Sequence, residues 1–512
     1  MSESRTKNFI YNSGVTALYQ LVLIAANFIT PHFLIHFYGS EANGLVSSIT
    51  QFISYFSIVE AGLSGASVFA LYSPLANKDY NKINSIVSAT KIFYYKSGFV
   101  FAGLVTLLAV IYPFTVHVQS FSGITIAILV ILLGAKGFMD FFSLAKYRAL
   151  LTADQKTYVV SFASAVYIIL NTIFIVVLSY LRVNILIVYA VAITSLIART
   201  VILSVYCRIH YKYINYNSVP DNSSLDKRWD AMIWQVVQGL QTGAPTIIAT
   251  FFASMIEVSI FSIYNMVIMG MSSILSIFRS GVMASFGELI AKKEYDTLRK
   301  SYNEFEYAYL QMIGILYSIA AVMLISFVRL YTVGNPEGID YTSVSIMIFS
   351  SVNGVLYNMK TPATALISAA GHYRETRWRV AAQGIMLIGF SILFGIIAPP
   401  GWKIQGIILG SCISNLYRDI DMMIYGPRHV TFSSVLKPVK NYSLMFLTIA
   451  LSVTAGFTII SHVNISSWLM WIAFAAIVTV ISGVFALVIS LLFSKNVLMS
   501  LFTRVKRMVI KR

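Results

Sequence analysis

About twenty apolar residues in a row carry one helix across the hydrocarbon core of a bilayer, and this chain offers that length fourteen times. The stretches fall at about 12–36, 43–72, 97–115, 124–147, 157–181, 184–207, 231–255, 259–289, 306–328, 342–370, 380–398, 404–426, 441–462 and 467–493. Only 11% of the residues are charged, against roughly 25% in soluble domains, and the mean hydropathy is +0.76. The chain therefore reads as an all-α polytopic membrane protein with about 14 transmembrane helices. Its net charge of +17 would suggest nucleic acid in a soluble protein, but in a membrane protein it is explained by basic cytoplasmic loops. Cys207 and Cys412 lie in or beside apolar segments and suggest no disulfide framework. The start, MSESRTKNFIYNSG, lacks a cleavage site and reads as a cytoplasmic tail entering the first span.

Basic residues sort strongly to one side of the spans. That side holds Arg5 and Lys7, Lys78 to Lys96, Lys146 to Lys156, Arg208 to Arg228, Lys292 to Lys300, Arg374 to Arg379, Arg428 to Lys440 and a basic tail ending at Arg512. The other side has only Arg182, Arg329 and Lys403. The positive-inside rule then puts both termini in the cytoplasm, which requires an even number of spans. The longest connection, at about 208–230, is polar and central, and reads as a linker between halves.

The halves repeat each other. Ala76-Asn77-Lys78-Asp79-Tyr80-Asn81-Lys82-Ile83 recurs 215 residues later as Ala291-Lys292-Lys293-Glu294-Tyr295-Asp296-Thr297-Leu298. Each copy leaves the second span of its half and enters the third. Six spans, a linker and six more spans make a parallel repeat, as in transporters built from two similar lobes. The predicted organisation is an N-lobe at 1–215, a C-lobe at 216–435, and two further spans with a basic cytoplasmic tail at 436–512. Pro31 in the first span and Pro245 in the seventh occupy corresponding positions. Proline removes a backbone donor, so both are candidate hinges.

Charged residues inside spans are costly, at roughly 2.5–3.5 kcal/mol each on insertion scales. The interior cations are Lys136, Arg199, Arg279, Lys360 and Arg418, on spans four, six, eight, ten and twelve. Acidic residues are fewer: Glu60 in span two, Asp140 in span four, and Asp419 and Asp421 beside Arg418. A wet, positively charged cavity between the lobes would remove most of the cost and suit an anionic head group. Glu60 and Asp140 are then candidates for coupling an ion or for balancing the cations. Lys136 and Asp140 also share a helix face and are able to pair with each other. Arg279 and Lys360 are equally able to snorkel to the cytoplasmic headgroups.

No GxxxxGK[ST] loop is present, so ATP hydrolysis by that route is excluded. The seven histidines show no metal-ligand spacing, and no metal or other cofactor is expected. Short outward connections leave no room for a sugar-processing domain, so no enzyme activity is expected either.

The opening PHFLIHFYGSEANGLVSSITQFISYFSIVEAGL resembles the polysaccharide-transport branch of the multidrug/oligosaccharidyl-lipid/polysaccharide exporter superfamily, the Wzx-type flippases. So do the loop LYSPLANKDYNKIN, the segment YRALLTADQKTYV after span four, and its counterpart ALISAAGHYRETRWRVAAQ after span ten. The resemblance extends over essentially the whole chain. It implies a MATE-like fold of two pseudo-symmetric six-helix lobes plus two C-terminal helices, in a bacterial cytoplasmic membrane. It implies an undecaprenyl-pyrophosphate-linked oligosaccharide as cargo, flipped to the outer leaflet for capsule, O-antigen or exopolysaccharide assembly by alternating access. Membrane lipids, an H⁺ or Na⁺ counter-ion and a polysaccharide polymerase would be its partners, with no nucleic acid. The alternatives are the lipid II flippase of peptidoglycan synthesis and, less well matched to a basic cavity, a multidrug/cation antiporter.

Overall fold

The computed structural model describes residues 2–60, 63–116, 118–221, 229–461 and 463–510, and among them helix is the only regular structure. The helices are α1 (Ser2–Phe56), α2 (Leu63–Asn77), α3 (Tyr80–Thr115), α4 (Gly123–Met139), α5 (Ala145–Ala153), α6 (Thr157–Tyr180), α7 (Ile185–His210), α8 (Trp229–Phe252) and α9 (Met255–Ala291). They continue as α10 (Tyr295–Tyr331), α11 (Val344–Met359), α12 (Thr361–Ala369), α13 (Tyr373–Ile397), α14 (Lys403–Gly426), α15 (Leu436–Ile460), α16 (Trp468–Phe493) and α17 (Lys495–Ile510). Ten of the helices, among the described residues, are long and apolar enough to cross a membrane. Every one of the fourteen expected spans meets helix. The first two share α1 and α2, the fourth is split into α4 and α5, and the tenth into α11 and α12.

By contacts the chain divides into two compact units, Met1–Ile260 with Gly334–Ile339, and Phe261–Val333 with Asp340–Arg512. In the first unit α1 runs helically through Pro31 and is interrupted instead at Gly39, where φ is 87° and ψ 174°. Only glycine adopts that conformation at low cost. A Cβ there would also lie 2.2 Å from Glu337 Oε1. Glu337 in turn accepts the backbone N–H of Ser40 at 2.9 Å, which satisfies a donor of the restarting helix. Similarly, α8 runs helically through Pro245.

The sequence repeat at 76–83 and 291–298 is a repeat of backbone geometry. Lys78 (φ 56°) and Lys293 (φ 59°) are both left-handed. In each copy the next residue's N–H bonds back five residues, Asp79 to Pro74 and Glu294 to Leu289, both at 3.0 Å. This is the Schellman ending of a helix. Gln155 (φ 57°) after α5 and Gly371 (φ 73°) after α12 form a second such pair. There Lys156 bonds back to Leu151 at 2.7 Å and His372 to Ile367 at 3.2 Å.

Small residues let helices approach where water offers no driving force. On α14, Gly406 and Gly410 form a GxxxG seam. A Cβ at Gly410 would lie 2.3 Å from the backbone N of Ser391 on α13. That close packing sets α14, and the polar residues that follow Gly410, against α13 and α11.

Candidate functional site

Spans four and ten, which hold the same place in their halves, each depart once from regular α-helix inside the apolar stretch, while the backbone stays right-handed at Asp140 (φ −63°, ψ −39°) and Lys360 (φ −70°, ψ −11°). In span four the α-helix ends at Met139, and one wide π turn, Asp140–Leu144, precedes α5. Such single wide turns occur frequently at functional sites. Aromatic packing holds this one. The Phe141 ring lies 5.3 Å from Phe101 and the Phe142 ring 4.7 Å from Tyr95. The Ser143 hydroxyl donates to the Met139 carbonyl at 2.7 Å, a back-bond that bends helices.

Asp140 opens this turn and pairs with Arg199 of α7. Arg199 is 4% exposed. Its guanidinium lies 4.9 Å from the centre of the Tyr167 ring on α6. Lys136, one turn before Asp140 and exposed, sets its ammonium 5.4 Å from the same ring. The short-range pairing of Lys136 with Asp140 thus yields to an ion pair across helices, and Tyr167 gathers both cations by cation–π attraction. The cluster holds two cations and one carboxylate.

In span ten the break is at Lys360, which ends α11 and precedes α12. Pro362 explains it. Proline fits the first turn of a new helix but disrupts a helix interior. The Lys360 ammonium donates to Asn415 Oδ1 on α14 and lies 4.9 Å from the centre of the Tyr357 ring. Asn415 is itself positioned. It donates to Asn353 Oδ1 at 3.0 Å and accepts from Gln383 Nε2 at 3.3 Å. Asp419, 3% exposed, has Lys360 and Arg418 as its electrostatic partners. Arg418, 2% exposed, donates to Asp421 Oδ2 at 2.7 Å, and Arg379 of α13 pairs with the same carboxylate. This cluster holds three cations and two carboxylates.

Of the sequence-derived site residues, the structure thus joins Lys136, Arg199 and Asp140 in one cluster and Lys360 and Arg418 in another. Arg279 on α9 is exposed and lies within electrostatic reach of Tyr357 and Tyr309. Glu60 closes a short 3-10 turn, Ser57–Glu60, and its side chain lies outside the described residues. Pro31 and Pro245 sit within continuous helices. Sequence reasoning missed Tyr167, Tyr357, Asn353, Gln383 and Asn415. It also missed the break at Lys360, for which Thr361-Pro362 was the available signal. Among the described residues no three of His, Cys, Asp and Glu come together as a metal site.

Among the described residues, ten helices long and apolar enough to cross a membrane, with charged clusters at two corresponding positions, define a polytopic all-α membrane fold. No protein-family model matches the chain, and no curated protein matches it in sequence. Solved structures do match. An inward-facing multidrug resistance MATE family transporter of the MOP superfamily aligns at a TM-score of 0.64 and 11% identity, over 84% of this chain and 99% of that one. The lipid II flippase MurJ in an inward closed conformation aligns at 0.63 and 14%, over 96% of this chain and 100% of its own length. The MATE multidrug transporter DinF-BH aligns at 0.59 and 14%, over 83% of this chain and 97% of its own. At these identities the likeness is one of fold: the chain has the MATE/MurJ-type architecture of transporters and flippases.

Proposed function

We propose that this chain is a flippase for undecaprenyl-pyrophosphate-linked oligosaccharide repeat units, moving them from the cytoplasmic to the outer leaflet of a bacterial cell membrane. The observation that carries the proposal is the pair of broken spans, four and ten, each surrounded by one more cation than carboxylate. Broken helices in corresponding positions mark the substrate region of repeat-built transporters. An excess of cations at both suits a diphosphate, which Lys and Arg bind by charge-assisted hydrogen bonds. In an alternating-access cycle Lys136, Arg199, Arg279, Lys360 and Arg418 meet the diphosphate in a cationic central cavity, and the lipid tail stays in the bilayer. Pro31 and Pro245 serve as hinges. Asp140 and Glu60 balance charge or couple an ion. Both termini are cytoplasmic in this reading, and a polysaccharide polymerase takes the product.

The test is surface-glycan display in the native host, with protein levels held equal. Lys136→Ala and Arg418→Ala should each abolish or severely reduce it. Unchanged export by both variants would overturn the cationic-cavity proposal. A lipid II flippase is the second reading, favoured by an alignment with MurJ over 96% of this chain, against 84% for the MATE transporter. Rescue of cells depleted of their own lipid II flippase, without effect on surface glycan, would select it. Loss of drug resistance without loss of glycan would select a multidrug antiporter.

A further inference from the structure

At the cytoplasmic foot of the second unit, α10, α15 and the junction of α16 with α17 enclose a cleft of about 400 Å³. Its polar lining includes Asn303, Lys437, Lys440, Asn441, Ser494 and Lys495, and among the described residues no carboxylate lines it. Lys440 is committed to the framework, since its ammonium donates to the Phe493 carbonyl at 2.6 Å. Asn441, 4% exposed, is committed too, donating to Asn303 Oδ1 at 3.2 Å and to the buried Glu306 at 2.8 Å. Lys437 and Lys495 are exposed and supply the uncommitted charge.

Directly beside this cationic cup runs an apolar strip on α16. Val488 is 43% exposed, Leu491 46%, Leu492 71% and Phe493 51%, and Leu492 and Phe493 also line the cleft. The next element, α17, has the build of an interfacial helix. Val497 and Leu501 pack on Tyr307, Leu444 and Ile489, and the Ser500 hydroxyl donates to Glu304 at 2.6 Å. Meanwhile Met499 and Phe502 stay 55% and 57% exposed.

We propose that this cleft binds the head group of an anionic glycerophospholipid, with its phosphate between Lys437 and Lys495 and its acyl chains along the α16 strip. The shared chemistry with a free phosphate is the anion. The adjoining apolar strip is what commits the site to a lipid. Basic pockets between spans on the cytoplasmic side bind such head groups. The inference is independent of the cargo proposed above, because it requires only that this end of the unit stand in the headgroup layer.

The full-length protein would be placed in phosphatidylcholine nanodiscs with increasing phosphatidylglycerol, and retained lipid read by native mass spectrometry. The wild type should retain phosphatidylglycerol over phosphatidylcholine. The Lys437→Gln/Lys495→Gln variant should lose that preference by roughly tenfold or more. The control Lys292→Gln/Lys300→Gln, at surface lysines elsewhere, should keep it. Equal retention by the cleft variant would overturn the site. So would a wild type without preference, which decides the question even if the double variant does not purify. A parallel arm measures melting in detergent. Stabilisation by inorganic phosphate equal to that by dioctanoyl-phosphatidylglycerol would overturn the lipid assignment.

Discussion

The two broken spans meet one requirement with opposite charge placement. In span four the carboxylate, Asp140, stands at the break and the buried cation, Arg199, comes from α7. In span ten the cation, Lys360, stands at the break and the buried carboxylate, Asp419, comes from α14. Each break also has an aromatic ring beside its lysine, Tyr167 for Lys136 and Tyr357 for Lys360. The sign at the break is therefore interchangeable between the two, whereas the surplus of one cation is common to both. They differ in redundancy. Asp140 forms the ion pair with Arg199, while Asp421 is shared between Arg418 and Arg379.

That difference predicts unequal responses to losing a partner, and the largest effect belongs to the first break. Asp140→Asn leaves the Arg199 charge buried, which should cost about 3 kcal/mol, near the low end for a buried pair because Asp140 is 32% exposed. The double variant Asp140→Asn/Arg199→Gln should recover most of it. Arg418→Gln leaves Asp421 still bonded to Arg379 and should cost about 1.5–2 kcal/mol, the range of one charged hydrogen bond. Thermal melting in detergent, read by intrinsic fluorescence, measures all three. Equal losses at the two breaks would erase the distinction.

The fourteen spans were legible because lipid demands length and apolarity, and both are local properties of sequence. Sidedness is an expectation of the same local kind, since charge counts in loops need no partner. Pairing was not. Asp140 has a basic neighbour one turn away, yet its partner lies on α7, 59 residues on. The site at Lys360 depends on Asn353, Gln383 and Asn415, which are uncharged and so gave no alarm inside apolar runs. The interruption of the first helix fell at Gly39, whereas α1 continues through the nearby Pro31. The proline that does coincide with a new helix start, Pro362 in α12, was not among the candidate hinges.

The breaks also differ in what holds them open, which gives an intermediate effect. Pro362→Ala restores a backbone donor at the start of α12 and lets α11 and α12 fuse through Lys360. Stability should change by no more than about 1 kcal/mol, while export should fall several-fold as Lys360 is drawn away from Asn415. The wide turn of span four contains no proline, so Ser143→Ala is its counterpart. Losing the bond to the Met139 carbonyl should cost a few tenths of a kcal/mol, because the aromatic packing of Phe141 and Phe142 remains. Export assayed beside melting separates the two cases. A Pro362→Ala variant with full export would show that the break at Lys360 is incidental to function.

The smallest effect tests the turns that follow the two breaks. Gln155 and Gly371 occupy the same left-handed position after α5 and α12, but only one is the residue that the conformation favours. A side chain there costs about 1–2 kcal/mol relative to glycine's freedom, offset by the 0.5–1 kcal/mol or so that glycine loses in backbone entropy. Gly371→Gln should therefore destabilise by about 0.5–1 kcal/mol, since no heavy atom lies within 4 Å of an added Cβ and strain acts alone. Gln155→Gly should stabilise by no more than that amount. The side chain lost is not the one that ties this turn to α1, because Asn12 donates at 2.8 Å to the backbone carbonyl of Gln155. Opposite signs in the two melting shifts would confirm that the halves share one backbone plan. Two destabilisations would mean that the Gln155 side chain makes a contribution its counterpart lacks.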